Sequence, residues 1–106
     1  MPANKKFEPG EIAVLRHSMG GRIMVVHESN SEGVYERAEP SQQKYVRPYH
    51  LSQVIKTDTP RHAYELVGRL MQIETQLEDE KNQSRLRANR AWERAIDEYQ
   101  VWEDDS

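Results

Sequence analysis

The stretch EIAVLRHSMGGRIMVVHE, residues 11–28, holds two short apolar runs on either side of a Gly-Gly pair. Runs of this length, rich in β-branched residues and separated by turn chemistry, read as a β-hairpin rather than a helix. Residues 11–17 make the first expected strand, Met19, Gly20 and Gly21 turn the chain, and residues 22–28 return as the second. The two glycines supply the positive φ that a tight hairpin needs. Working outward, residues 29–33 form the next turn, residues 34–39 alternate as a third strand, and residues 39–42 form a loop. Residues 44–47 are expected as strand four. Pro48 cannot donate to a ladder, so the chain should leave the sheet there, with Tyr49, His50 and Leu51 as a short turn before a last strand at residues 53–56. The sequence thus predicts a small five-stranded SH3-like β-barrel over residues 1–57. Its core would draw on Phe7, Ile12, Val14, one face of residues 23–26, Val34, Val46, Leu51 and Val54.

After the barrel comes a long amphipathic helix over residues 58–106, which makes the fold class α+β. Asp58 or Thr59 can cap its free N–H groups and Pro60 suits the first helical position. Apolar residues then fall at Ala63, Leu66, Leu70, Ile73 and Leu77, and again at Ala88, Trp92, Ala95, Tyr99 and Trp102. Spacings of three or four, or eleven across the gap, keep one face. Lys81 and Ser84 hold the seam positions inside the gap, so Asn82, Gln83 and Ser84 could turn the chain into a helical hairpin. A break there leaves Glu78, Asp79 and Glu80 at a helix C-terminus and Arg85, Arg87 and Arg90 at a helix N-terminus. The macrodipole opposes each such charge by about 0.3–1 kcal/mol. Charge placement therefore favours one continuous helix, roughly 60 Å long, acting as a dimerisation stalk. An antiparallel copy centred near Ser84 sets Glu74 opposite Arg94, Glu78 opposite Arg90, and Glu80 close to Arg87; an intramolecular hairpin would make the same pairings. The coiled-coil seam of the expected homodimer is Leu66, Leu70, Ile73, Leu77, Ala88, Trp92, Ala95 and Tyr99.

A chain of 106 residues with 36% apolar and 31% charged content supports only a modest core unless apolar surface is buried between chains, which also points to self-association. The net charge of −3 is uneven. Residues 1–57 carry eight Lys/Arg against six Asp/Glu, and residues 58–106 carry seven against twelve, giving +2 and −5. Nucleic-acid binders usually show a larger basic excess, so a protein partner is the better expectation. No apolar run is long enough to span a membrane, and the first residues lack the apolar stretch of a secretory signal, so a cytoplasmic location is expected. The absence of cysteine excludes disulfides, thiolate nucleophiles and Cys-ligated metals.

His17, His27, His50 and His62 show no metal-ligand spacing, and the carboxylates lie on the helix surface or in the tail at Glu103, Asp104 and Asp105. Gly20 and Gly21 sit between two strands and do not open a helix, unlike a phosphate loop. No catalytic residue, metal or cofactor is expected. Tyr35, Arg37, Tyr45, Arg47, Tyr49 and His50 are the expected partner-binding set, because aromatic and basic side chains on one barrel face can grip a peptide or stack bases. The competing reading is that some of these tyrosines cover the barrel where the helix docks. Arg85, Arg87, Arg90 and Arg94 are the candidate nucleic-acid contacts. Trp92 and Trp102 read as packing residues.

The opening segment, Phe7 to Glu11 with Ser18 to Val26, resembles the start of the bacterial YodC-like proteins. There a Phe-x-x-Gly-Asp start and a Gly-Gly-x-x-Met-x-Val hairpin begin a small SH3-like fold, and Glu11 stands where that family usually has Asp. The resemblance implies a barrel and brings no activity. Leu15, Arg16 and His17, followed by a glycine turn and a valine-rich strand, are also similar to the small hemimethylated-DNA-binding family, in which the long helix has no counterpart. The expected function is a non-enzymatic protein-protein interaction module, an adaptor, regulator or inhibitor of a larger protein, with a nucleic-acid-binding regulator as the alternative.

Overall fold

Alternation in the opening stretch places Ile12, Val14 and Arg16 on one side of a strand and Ala13 and Leu15 on the other. The computed structural model, which describes residues 6–17, 20–79 and 85–101, uses both sides. Strands β1 (Ile12–His17), β2 (Gly20–Asn30), β3 (Gly33–Glu36) and β4 (Val54–Ile55) form an antiparallel sheet in the order β3-β2-β1-β4. The long β2 pairs with β1 through its first half and with β3 through its second, with a bulge between Val26 and Glu28. Bulges increase local twist, and the sheet curls into a half-barrel. Val34 and Tyr49 exchange backbone hydrogen bonds of 2.9 and 2.8 Å across its open side.

Inside the curl lie Phe7, Ala13, Leu15, Met24, Val26, Val34 and Val54, with Tyr49 and Leu51 packed against them. The outer face carries Val14 and Ile55 into a second cluster with Ala63, Leu66 and Leu70 of helix α1 (Pro60–Asp79) and Trp92, Ala95 and Ile96 of helix α2 (Arg85–Tyr99). Because both faces are covered, Ala13, Val14 and Leu15 are consecutive and all buried. Gly21 matters here. A Cβ on it would lie 3.0 Å from Leu70 Cδ1 and 3.2 Å from Val14 Cγ1, so its lack of a side chain lets α1 settle on the sheet.

The C-terminal part takes the hairpin form rather than that of one continuous helix. The chain folds back between Asp79 and Arg85 and packs α2 against α1; the expected turn residues Asn82, Gln83 and Ser84 lie outside the described residues. Burial outweighs the helix-dipole cost. Each misplaced charge costs about 0.3–1 kcal/mol, whereas fully burying a large apolar side chain such as Leu66, Leu70 or Ile96 stabilises by about 1.5–3 kcal/mol. The fold-back also lets the basic start of α2 meet acid on α1. Arg85 grips Glu74 through two bonds of 2.8 and 2.9 Å, so Glu74 does not wait for Arg94. Glu80 and the side chain of Glu78 lie outside the described residues. Arg69 pairs with Glu98 at 3.4 Å at the other end. Thr59 caps α1 by accepting from His62 N–H at 3.1 Å, and Val101 N–H donates to Lys56 O at 2.7 Å, fastening the end of α2 to the exit of β4.

Two strand expectations also change. Residues 44–47 form no ladder; Gln43–Tyr45 is a 3-10 turn. The Gln43 side chain accepts from Ala38 N–H at 2.8 Å and donates to Glu36 O at 3.1 Å, taking the backbone groups a neighbouring strand would have used. Gly20 and Gly21 belong to β2, paired with His17 and Arg16, so the two glycines are strand residues rather than the expected turn; Met19, the third residue of that turn, lies outside the described residues. The one-turn corner before the last strand is present, shifted from the expected residues 49–51 to the 3-10 turn Leu51–Gln53, because Tyr49 is held in a bridge to Val34.

The Arg85 hydrogen bonds hold the Glu74 carboxyl below its ordinary range, against the opposing effect of burial. The buried Trp92 Nε1–H finds no acceptor in hydrogen-bonding geometry among the described residues, yet adds to the lowering of Glu74. A depressed carboxylate contributes stability that is present above its unfolded pKa, about 4.3, and is lost as pH falls through the folded value. Wild-type protein should therefore lose about 0.5–1 kcal/mol more than Glu74→Gln on acidification from about pH 5 to about pH 3, a figure kept small by the exposure of Arg85. Urea midpoints at the two pH values check this; equal losses would remove the pair from the stability of the hairpin.

Candidate functional site

Side chains that neither cluster needs are those a partner can reach. In the expected barrel set, Tyr49 is not among them: it packs on the interior cluster, and its hydroxyl accepts from Arg22 Nη2 at 3.3 Å. Arg22 also holds Glu36 through bonds of 2.6 and 2.7 Å, which keep its guanidinium firmly charged. His50 is exposed but occupied with the corner, where its Nδ1 accepts from Ser52 N–H at 3.2 Å. The half-buried Tyr35 donates its hydroxyl to Glu32, which raises the phenol above its ordinary range. Arg37, Tyr45 and Arg47 are exposed, and the Lys44 ammonium lies 5.0 Å from the Tyr45 ring centre. The six therefore divide between a structural corner and scattered surface groups.

The expected oligomerisation seam lies within the chain's own core. Leu66, Leu70, Ala88, Trp92 and Ala95 are buried, and Ile73, Leu77 and Tyr99 are half-buried; Trp102 lies outside the described residues. Of the four arginines, Arg85 is taken by Glu74. Arg87, Arg90 and Arg94 are exposed, share the solvent side of α2 at positions i, i+3 and i+7, and make no ion pair among the described residues. A groove of about 420 Å³ on this side is lined by Leu86, Asn89, Arg90, Glu93 and Arg94.

Off-seam apolar residues were missed by the periodicity argument. Tyr64 and Met71 stand one position beyond the seam residues Ala63 and Leu70, seven apart, and are 60% and 56% exposed. Gly68 lies between them on the same face with nothing within 4 Å of where a Cβ would be. The signal that could have found them is the i, i+4, i+7 pattern of an aromatic, a glycine and a methionine in a helix whose apolar face was already assigned.

His17 and His27 are exposed, and His62 meets the Tyr99 ring edge-on at 6.0 Å. Among the described residues no group of three His, Cys, Asp or Glu is placed to hold a metal, and no helix is long and apolar enough to cross a membrane. In comparisons with family models, curated proteins and solved structures, nothing matches this chain.

Proposed function

We propose that the protein is a non-enzymatic interaction module acting in the cytoplasm, a small adaptor, regulator or inhibitor that binds a larger protein through the outer face of α1. The observation that carries this reading is the exposed ridge of Tyr64, Gly68 and Met71, continued by half-buried Val67. Tyr and Met are residues that interface cores favour, and Met adapts its shape to a partner. A glycine inside a helix costs about 1 kcal/mol relative to alanine, and no neighbour of Gly68 among the described residues requires it. It leaves a dip between Tyr64 and Met71 in which a partner helix can approach closely. The half-barrel with its 3-10 corner supports the SH3-like reading, as does the YodC-like opening, and Arg37, Tyr45 and Arg47 offer a second contact area.

The test is affinity capture from the native host with mass spectrometry, run side by side on wild type, Tyr64→Glu/Met71→Glu and Tyr45→Ala, each shown to be folded by circular dichroism. A partner held by wild type and Tyr45→Ala, and lost by the α1 variant, is the expected result. Unchanged capture by the α1 variant removes this face as the binding site. The exposed Arg87, Arg90 and Arg94 on α2 favour nucleic acid as the second reading. Its mark would be binding at about 50 mM salt that weakens steeply as salt rises, and the expected result of a shift assay is no such binding.

A further inference from the structure

Helix α2 carries its charges the wrong way round. Its first turn holds Arg85 and Arg87 with no acid, and its last turn holds Asp97 and Glu98 with no base. Both ends oppose the macrodipole. Fold-back onto α1 relieves only the inner side, through Arg85 with Glu74 and Glu98 with Arg69. On the outer side Leu86, Arg90, Glu93, Arg94 and Asp97 form one exposed face, basic towards the start and acidic towards the end. Glu93 is held by Arg16 at 2.8 Å, but Arg90, Arg94 and Asp97 have no ion pair among the described residues. On this face the like charges Arg90 and Arg94 are four apart, as are Glu93 and Asp97, an arrangement that destabilises an isolated helix.

The pattern is self-complementary. When a second α2 is laid antiparallel so that paired residue numbers sum to 187, Arg90 faces Asp97 of the copy, Arg94 faces Glu93, and the symmetry repeats both pairs. Leu86, 59% exposed, then comes at the end of the pairing, just past Tyr99 where the copy's helix stops. Sliding the copy by three residues in either direction faces like charges, Arg90 with Arg94 or Glu93 with Asp97. We propose that the outer face of α2 is a homodimer interface, an antiparallel α2–α2 pair held in this register by Arg90–Asp97 and Arg94–Glu93. Antiparallel pairing brings acid over base along the whole face and opposes the two macrodipoles. The interface is one short helix per copy, so the dimer is weak, in the micromolar range, and sensitive to salt. It is independent of the α1 face proposed for the protein partner.

Sedimentation equilibrium on the full chain tests it. Arg90→Glu sets Glu against Asp97 of the copy, and Asp97→Arg sets Arg against Arg90. Each should weaken self-association by about tenfold or more. An equimolar mixture of the two variants matches both pairs again and should associate as wild type does, as should the double variant Arg90→Glu/Asp97→Arg. A monomer without the interface behaves otherwise: each single reversal then leaves the mass unchanged. A monomer mass for wild type throughout the micromolar range overturns the proposal. So does a dimer whose affinity ignores both reversals, or one that the mixture fails to restore. Circular dichroism of each variant separates loss of association from loss of fold.

Discussion

Trp92→Ala should destabilise the protein by about 3–5 kcal/mol, a large part of the 5–15 kcal/mol, roughly, that a single domain has in all. Trp92 is buried where α2 meets both α1 and the sheet, in one cluster with Val14, Ile55, Leu66 and Leu70. The Arg16 guanidinium lies 5.4 Å from its ring centre and reaches on to Glu93 at 2.8 Å. Truncation leaves a cavity whose walls belong to three elements, so it cannot collapse without moving one of them. Trp92→Phe retains most of the ring and should cost about 1–2 kcal/mol. Urea unfolding followed by far-UV circular dichroism measures both. The loss should not vary with protein concentration, because the contacts of Trp92 lie within one chain. On a continuous helical stalk the same substitution would instead weaken association, and a concentration-dependent loss would point back to that arrangement.

Gly33→Ala is the second large effect, about 2–4 kcal/mol. Gly33 has a φ of 141°, and a Cβ there would lie 2.4 Å from Tyr49 O, the atom that accepts the Val34 N–H. Alanine thus meets an unfavourable backbone conformation and pushes away the only backbone bridge across the open side of the curl among the described residues. Gly68→Ala provides the contrast, since nothing lies near that position and the helix gains about 0.5–1 kcal/mol. Opposite signs for the two glycines are the expected result in the same unfolding assay. A neutral Gly33→Ala would mean that Tyr49 is free to retreat and that the bridge contributes little.

The opening hairpin was legible in the sequence from two short apolar runs of strand length with β-branched residues, and the corner from the proline that ends the preceding segment. The absence of a strand at residues 44–47 was not, since it depends on where the Gln43 amide reaches, a contact over five and seven residues with Ala38 and Glu36. Gly20 and Gly21 were read as a turn by local rules, while the position of Gly21 is dictated by Leu70, about fifty places along the chain. The seam was identified correctly as an apolar face, yet periodicity is blind to what covers it. Both a copy of the chain and its own sheet satisfy the same spacing. Burial of Ala13 and Leu15 on one side of β1 and Val14 on the other was written in three consecutive apolar residues, the mark of a strand covered on both faces. As for the surfaces, Arg87, Arg90 and Arg94 were visible as a cluster. That they make no ion pair among the described residues emerges only once Arg85 has taken Glu74.

The two clusters on either side of the sheet are completed at different times as the chain is made. Among the described residues the inner cluster runs from Phe7 to Val54, whereas the outer one waits for Trp92, Ala95 and Ile96. A ribosome therefore releases a half-barrel whose interior can close early but whose back, with Val14 and Ile55, stays bare while the second half of the protein is synthesised. Until α1 emerges to cover it, and α2 follows to complete the cluster, that bare side is the surface a chaperone would hold and the one on which nascent chains would stick together.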